Sequence, residues 1–331
     1  TVRAILLSLC CDDNISTQNL ATPVIELVKS TPAFPVLLKA AQTGDDPLAS
    51  AASEVNAFTN DPLLLAVLPR TVLCDVELEQ VLTHLRRCIL FRSEMQDGLA
   101  IANNAVSCAF ACALARQCFN TEYSFFADED EMRRVDALRA ELNAAMQRAH
   151  VHPGTIEWSL VLVALYGPLD RLVQWERLLP PVVSLWTDAF RPILEEQLRH
   201  HARELDIATH LTALTEIDGG VSRAVQRQYE ENPYPRWVSL RRSSTMTIET
   251  LVRRFRPGES VSLFSRPVSI LIAGCGTGQH PISTAMTYSD CEVLAVDLSR
   301  RSLAYATRMA ERFGVTNITF HQADILGLGK L

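Results

Sequence analysis

VSILIAGCGTG at residues 268–278, with VLAVDLS at 293–299 after a helix-length interval, decides how the C-terminal part of this chain folds. The run Val268, Ile270, Leu271, Ile272 and Ala273 is too short for a helix core and too apolar for a half-exposed edge. It predicts a strand buried on both faces, in a parallel sheet with helices on each side. Gly274, Gly276 and Gly278 remove side chains where the chain must turn sharply and where another group must approach the backbone. Pro281 suits a first helical turn, which places a helix start near residues 279–281 and leads us to expect free N–H groups in the loop.

Working outward, residues 292–297 form a second apolar run that ends in Asp297. In doubly wound sheets an acid at that end of a strand accepts hydrogen bonds from ribose hydroxyls. Its competing role is to cap the next helix, a role Ser299 can also take. Leu303, Ala306, Ala310 and Phe313 fall on one face of that helix, and Gly314 is its expected stop. A third strand follows at 318–322 and ends at Ala323 and Asp324, where an acid is equally at home in a turn. Three strand ends then share one rim, the place where open α/β sheets bind ligands.

The glycine spacing narrows the ligand. A dinucleotide fingerprint places its third glycine at the sixth position, where this chain has Gln279, so a nicotinamide or flavin dinucleotide is disfavoured. A phosphate loop needs Lys and then Ser or Thr after its last glycine, and Gln279 and His280 stand there instead.

The stretches ILIAGCGTGQHPISTA, VLAVDLSRRSLAYA and ITFHQADIL resemble the class I S-adenosylmethionine-dependent methyltransferases. More narrowly, the chain looks like bacterial methyltransferases with an α-helical, TPR-like N-terminal region, a likeness supported by QYEENPYPRW at 228–237 and ALARQCFNTEYSF at 113–125. The resemblance implies an α/β Rossmann-like domain that binds S-adenosyl-L-methionine. Gly274, Cys275, Gly276, Thr277 and Gly278 would then approach the methionine part, Asp297 would take the ribose hydroxyls, Leu298 would pack near the ring, and Asp324 with Ile325 would flank the adenine. Each glycine also has a purely structural reading in a tight strand-to-helix turn, and Cys275 reads as a small packing residue.

QYEENPYPRW lies well before the first strand. Pro233 and Pro235 oppose a regular helix, which predicts a stiff extended arm carrying Tyr229, Tyr234 and Trp237. The arm can fold over the cleft, with Tyr229 and Tyr234 lining the active site, or serve as an aromatic clip that fastens the helical region to the sheet domain.

The remaining N-terminal two-thirds reads as an all-α domain. Leu78, Val81, Leu82, Leu85 and Ile89 mark one amphipathic helix, residues 129–142 another, and 156–166 a short buried one. Residues 99–119 are almost continuously apolar, and Asn103, Asn104, Arg116 and Gln117 make them the centre of a bundle rather than a membrane span. No period of about 34 residues stands out. Breaks are expected at Pro180–Pro181 and Gly219–Gly220, which gives a helical domain over 1–220, an arm over 221–262 and a cofactor domain over 263–331.

A net charge of −7 without a basic, aromatic-interleaved stripe argues against a broad nucleic-acid surface. The nine cysteines contain no C-x-x-C pair and read as reduced packing residues without a metal, in a protein expected in the cytoplasm. Only three strands fit after residue 268, so we expect a fragment holding the apparent first half of a larger sheet, whose later strands beyond Leu331 would supply much of the acceptor pocket and any catalytic base, and no catalytic residue is assigned. The acceptor is unspecified, and the helical region offers a homodimer surface, a partner surface or a cover for the sheet. Two other classes stay open: a helical interaction or regulatory protein with a vestigial cofactor domain, and a nicotinamide-dependent oxidoreductase.

Overall fold

Apolar residues at helical spacing build the first of two units, Thr1–Arg199, and short apolar runs alternating with helices build the second, His200–Leu331. The computed structural model describes residues 1–12, 14–92, 106–147, 153–179, 185–217, 219–231, 235–240, 244–256 and 267–330.

In the first unit, the helix Val76–Arg92 buries Leu78, Val81, Leu82, Leu85 and Ile89, the stripe its periodicity predicts. The expected helix over 99–119 instead begins at Cys108, and residues 99–105 lie outside the described ones. Ser107 sets that start: its backbone is extended and its hydroxyl accepts from the Phe110 amide at 3.2 Å. The helix Glu129–Met146 opens on a capping box, in which Asp128 accepts from Glu131 N and the Glu131 carboxylate accepts from Asp128 N. In Pro153–Ala164, the stretch Leu160 to Ala164 is buried on every side, as expected of a core helix. The Pro180–Pro181 break lies outside the described residues.

One charged cluster is buried among these helices. Arg86, at 1% exposure, lies 4.1 Å over the Tyr166 ring, and its Nη2 is 3.7 Å from Glu131 Oε1 and donates to the Phe126 carbonyl. Tyr166 donates to the same Glu131 oxygen at 2.6 Å.

The boundary between units falls at 199/200, ahead of the Gly219–Gly220 break expected from the sequence. The helix His200–His210 packs along the helix Arg300–Phe313 of the second unit. Arg308 Nε donates to Glu204 Oε1 at 2.8 Å, and Arg203 pairs with Glu311 at 2.9 Å. Those partners lie a hundred residues away in sequence, so local composition could not reveal them.

The second unit holds a three-stranded parallel sheet in the order β1 (Val268–Ala273), β2 (Cys291–Asp297), β3 (Ile318–Gln322). Ile270 stands opposite Val293, and Val293 opposite Ile318, so each strand contributes its apolar residues to one common face. The helices Gln279–Thr287 and Arg300–Phe313 connect the strands and pack on that face with Ile248. Residues 212–214 run beside β3, where Gln322 N donates to Thr212 O and Leu214 N donates to Gln322 O.

β1 departs from the expectation of burial on both faces. Val268, Ile270 and Ile272 pack inward, but Ser269, Leu271 and Ala273 are exposed, Leu271 at 54%. Successive right-handed crossovers that step in one direction place both helices on the same side of a sheet. The opposite side of β1 is therefore left open by the elements that follow it.

Among the described residues, no helix is long and apolar enough to cross a membrane, and no group of three or more His, Cys, Asp or Glu side chains could hold a metal ion. None of the nine cysteines forms a disulfide.

Candidate functional site

The carboxyl ends of the three strands bring the glycine loop, Asp297 and Asp324 to one rim. Gly274, Gly276 and Gly278 have φ of +72°, +52° and +85°, the left-handed region that side-chain-bearing residues avoid. At Gly278 the requirement is also steric, because a Cβ there would meet the Ala306 Cβ at 2.4 Å. Gly278 caps the helix Gln279–Thr287, which starts where Pro281 predicts.

Four of the loop's amides are committed within the protein, while Thr277 N, and Gln279 N and His280 N on the first helical turn, have no hydrogen-bond partner among the described residues, as expected of a helix start. Gly274 N and Cys275 N both donate to Val296 O, and Gly278 N donates to Cys275 O. Gly276 N donates to Asp297 Oδ2 at 2.8 Å. Gly274 is exposed, so the turn presents bare Cα surface to the rim there.

Asp297 ties the site together. While Oδ2 holds the glycine loop, Oδ1 accepts from Ser299 N at 2.9 Å. Ser299 is the helix cap, since its hydroxyl accepts from Ser302 N at 3.1 Å. The capping role weighed for both residues thus falls to Ser299. A carboxylate has about four acceptor positions, and Asp297 uses two of them within the protein. Leu298 beside it is half-buried, and its carbonyl accepts from Gln322 Nε2.

Asp324 is 6% exposed and turned inward. Its Oδ1 accepts from Leu326 N at 3.0 Å, and its own amide donates to Thr215 Oγ1 at 2.7 Å. It starts the short helix Ile325–Lys330, the turn role recognised in the sequence. Ile325, 51% exposed, stands next to Gly274, where a Cβ would lie 3.5 Å from its Cδ1.

Thr277 and Cys275 face away from the rim. Thr277 Oγ1 donates to Pro235 O at 2.7 Å, and Trp237 Nε1 donates back to Thr277 O at 3.0 Å. Burial, reinforced by the Asp297 charge, pushes the Cys275 thiol up, so it stays protonated and serves as packing.

At Trp237 the arm is held within the second unit: the residue is 6% exposed, its ring stacks on Phe313 at 5.9 Å, and its carbonyl accepts a hydrogen bond from Tyr305. The beginning of the arm differs from the expectation: Tyr229 and Glu230 lie on the helix Gly220–Glu231, so Tyr229 is helical rather than extended. A proline restricts the residue before it and the turn it enters, and residues 228–231 precede that reach. Tyr229 is 41% exposed, and its carbonyl accepts from Ser299 Oγ at 3.1 Å; Tyr234 lies outside the described residues.

Sequence reasoning missed Glu230. Its carboxylate accepts from Arg300 N at 2.5 Å and Arg301 N at 3.4 Å, so it sits on the first turn of the helix that follows Asp297. The signal was an acid in the QYEENPYPRW segment, overlooked beside its aromatic neighbours.

No curated protein matches the chain, and no solved structure does. A family model described as a methyltransferase domain matches residues 266–331, the stretch that carries all three strands and the rim, and this supports methyl transfer as the chemistry of the unit.

Proposed function

We propose that His200–Leu331 contains a Rossmann-like domain that binds S-adenosyl-L-methionine, and that the protein is a methyltransferase using it. The observation that carries this reading is Asp297, a carboxylate at the end of the central strand with two acceptor positions already committed and about two remaining. That capacity matches the two hydroxyls of an unmodified ribose. The cofactor, when bound, supplies a methyl group activated by a sulfonium charge.

The residues fit the remaining parts of such a nucleoside. Gly274 gives a side-chain-free approach, Ile325 supplies an exposed apolar wall beside it, and Leu298 lies next to Asp297. The hydrogen bonds from Trp237 Nε1 to the Thr277 carbonyl and from Thr277 Oγ1 to the Pro235 carbonyl keep the loop in the shape that allows the approach. The contribution of this unit is positioning, which can lower a barrier by several kcal/mol when donor and acceptor are held in line. The helical unit and the acceptor fall outside what these residues specify.

Calorimetry with S-adenosylhomocysteine and NADH tests the reading. We expect saturable S-adenosylhomocysteine binding that weakens at least about tenfold in Asp297→Ala, because charged-group hydrogen bonds contribute about 1.5–3 kcal/mol each. Unchanged affinity in that variant, or binding of NADH alone, overturns it.

A further inference from the structure

The residues after Asp297 read Leu298, Ser299, Arg300 and Arg301, and in phosphorylated dinucleotide sites an arginine near the β2 acid accommodates the ribose 2′-phosphate. The structure commits both arginines elsewhere. Arg300 Nε donates to Gln322 Oε1 at 2.8 Å and its Nη1 to the Ala208 carbonyl at 2.9 Å, while Arg301 Nη1 donates to the Glu230 carbonyl at 3.1 Å. The backbone at this helix start is also taken. Ser299 N points at Asp297, and the next two amides, Arg300 N and Arg301 N, point at Glu230.

Helix N-termini attract anions because their first amides lack partners within the helix. Here the anion is a side chain of the protein. Two carboxylates, Asp297 and Glu230, occupy three successive amides, and the only cations of the segment are held on neutral acceptors to one side. A phosphate at the ribose edge would find its donors occupied and two negative charges in their place.

Resting on the S-adenosylmethionine reading above, we propose that Glu230 is a specificity-determining residue: with Asp297 it makes the ribose subsite accept a free diol and reject a phosphorylated ribose. Glu230 acts by charge and by occupying the amides, whereas Asp297 contacts the sugar itself. The subsite therefore takes nucleosides and nucleoside thioethers and excludes ligands of the NADP class.

The test titrates adenosine and 2′-AMP directly into the full chain by ligand-observed NMR, and S-adenosylhomocysteine by calorimetry. Adenosine should bind at least about fivefold more tightly than 2′-AMP, the scale that Coulomb's law gives for one carboxylate roughly 6 Å from a phosphate dianion in a water-rich cleft. Glu230→Gln keeps an acceptor for Arg300 N but removes the charge, so this preference should shrink about fivefold while S-adenosylhomocysteine affinity moves less than about twofold. If Glu230→Gln does not fold, wild-type protein still decides the matter, because raising salt to 1 M should erode the same preference by screening. Equal binding of adenosine and 2′-AMP, or a preference that neither the substitution nor salt changes, overturns the proposal. Adenosine preferred over 2′-AMP with no S-adenosylhomocysteine binding would uphold the subsite and sink the cofactor reading, which separates the two failures.

Discussion

Gly278→Ala probes the close approach on which the glycine loop depends. The residue has φ +85°, and a methyl group added there would lie 2.4 Å from the Ala306 Cβ and 3.1 Å from its Cα. A left-handed conformation costs a residue with a Cβ about 1–2 kcal/mol. Forcing a methyl against a helix backbone adds about 1–3 kcal/mol, since the Cα cannot rotate away as a side chain can. The second unit should lose about 2–5 kcal/mol, which at a urea slope of about 2 kcal/mol per molar lowers its midpoint by about 1–2.5 M. Trp237, the tryptophan of this unit, reports the transition as a separate 19F resonance after 5-fluorotryptophan labelling. Ala306→Gly removes the nearer contact and leaves the backbone strain. After allowing about 1 kcal/mol for glycine in a helix, the double variant should therefore be less destabilised than the sum of the singles by about 1–3 kcal/mol. A wild-type midpoint for Gly278→Ala, or strict additivity in the cycle, would refute the close-packing argument.

Trp237→Phe keeps an aromatic ring but leaves the Thr277 carbonyl without the indole donor; since it also removes the 19F reporter, a urea titration followed by amide exchange should show the unit losing about 1–2 kcal/mol, and S-adenosylhomocysteine affinity should fall with it. His200 is neutral in the folded protein because burial, then the nearby Arg308 and Arg312, push its pKa down from 6.5 to about 3. The unfolded state binds a proton there as pH falls below 6.5 and the folded state does not, so stability is full above that pH and declines toward pH 3. Between pH 7 and pH 5 the loss from this group should be about 2 kcal/mol, and urea titrations of His200→Phe should lack that increment; an identical pH slope in the variant counts against it.

The parts of this fold that could be read from the sequence are those where one residue's chemistry dictates its own surroundings. Periodicity located Val76–Arg92 and the Leu303 face of Arg300–Phe313, and Gly314 ends that helix at φ +67° as expected. The rim was legible because glycines followed by a strand-terminal acid leave few alternatives. What escaped depends on partners distant in the chain. The domain boundary is set by Arg308 and Glu204, the open side of β1 by the direction of two crossovers, and the capped helix start by Glu230, some seventy residues upstream. Which amides of the loop are taken was not legible for a related reason: whether Gly276 N is free depends on how far Asp297 reaches back, and spacing alone does not encode that distance.

The buried Arg86–Glu131–Tyr166 cluster has a consequence for how the helical unit finds its fold. An ion pair inside hydrocarbon adds little net stability, but a guanidinium left there without its carboxylate costs about 3–5 kcal/mol. If the helix Val76–Arg92 slid by one turn against Glu129–Met146, its leucine stripe would still be largely sheltered, but Arg86 would be parted from Glu131. The cluster therefore works as a registration key that penalises misaligned packings which greasy contacts alone would tolerate.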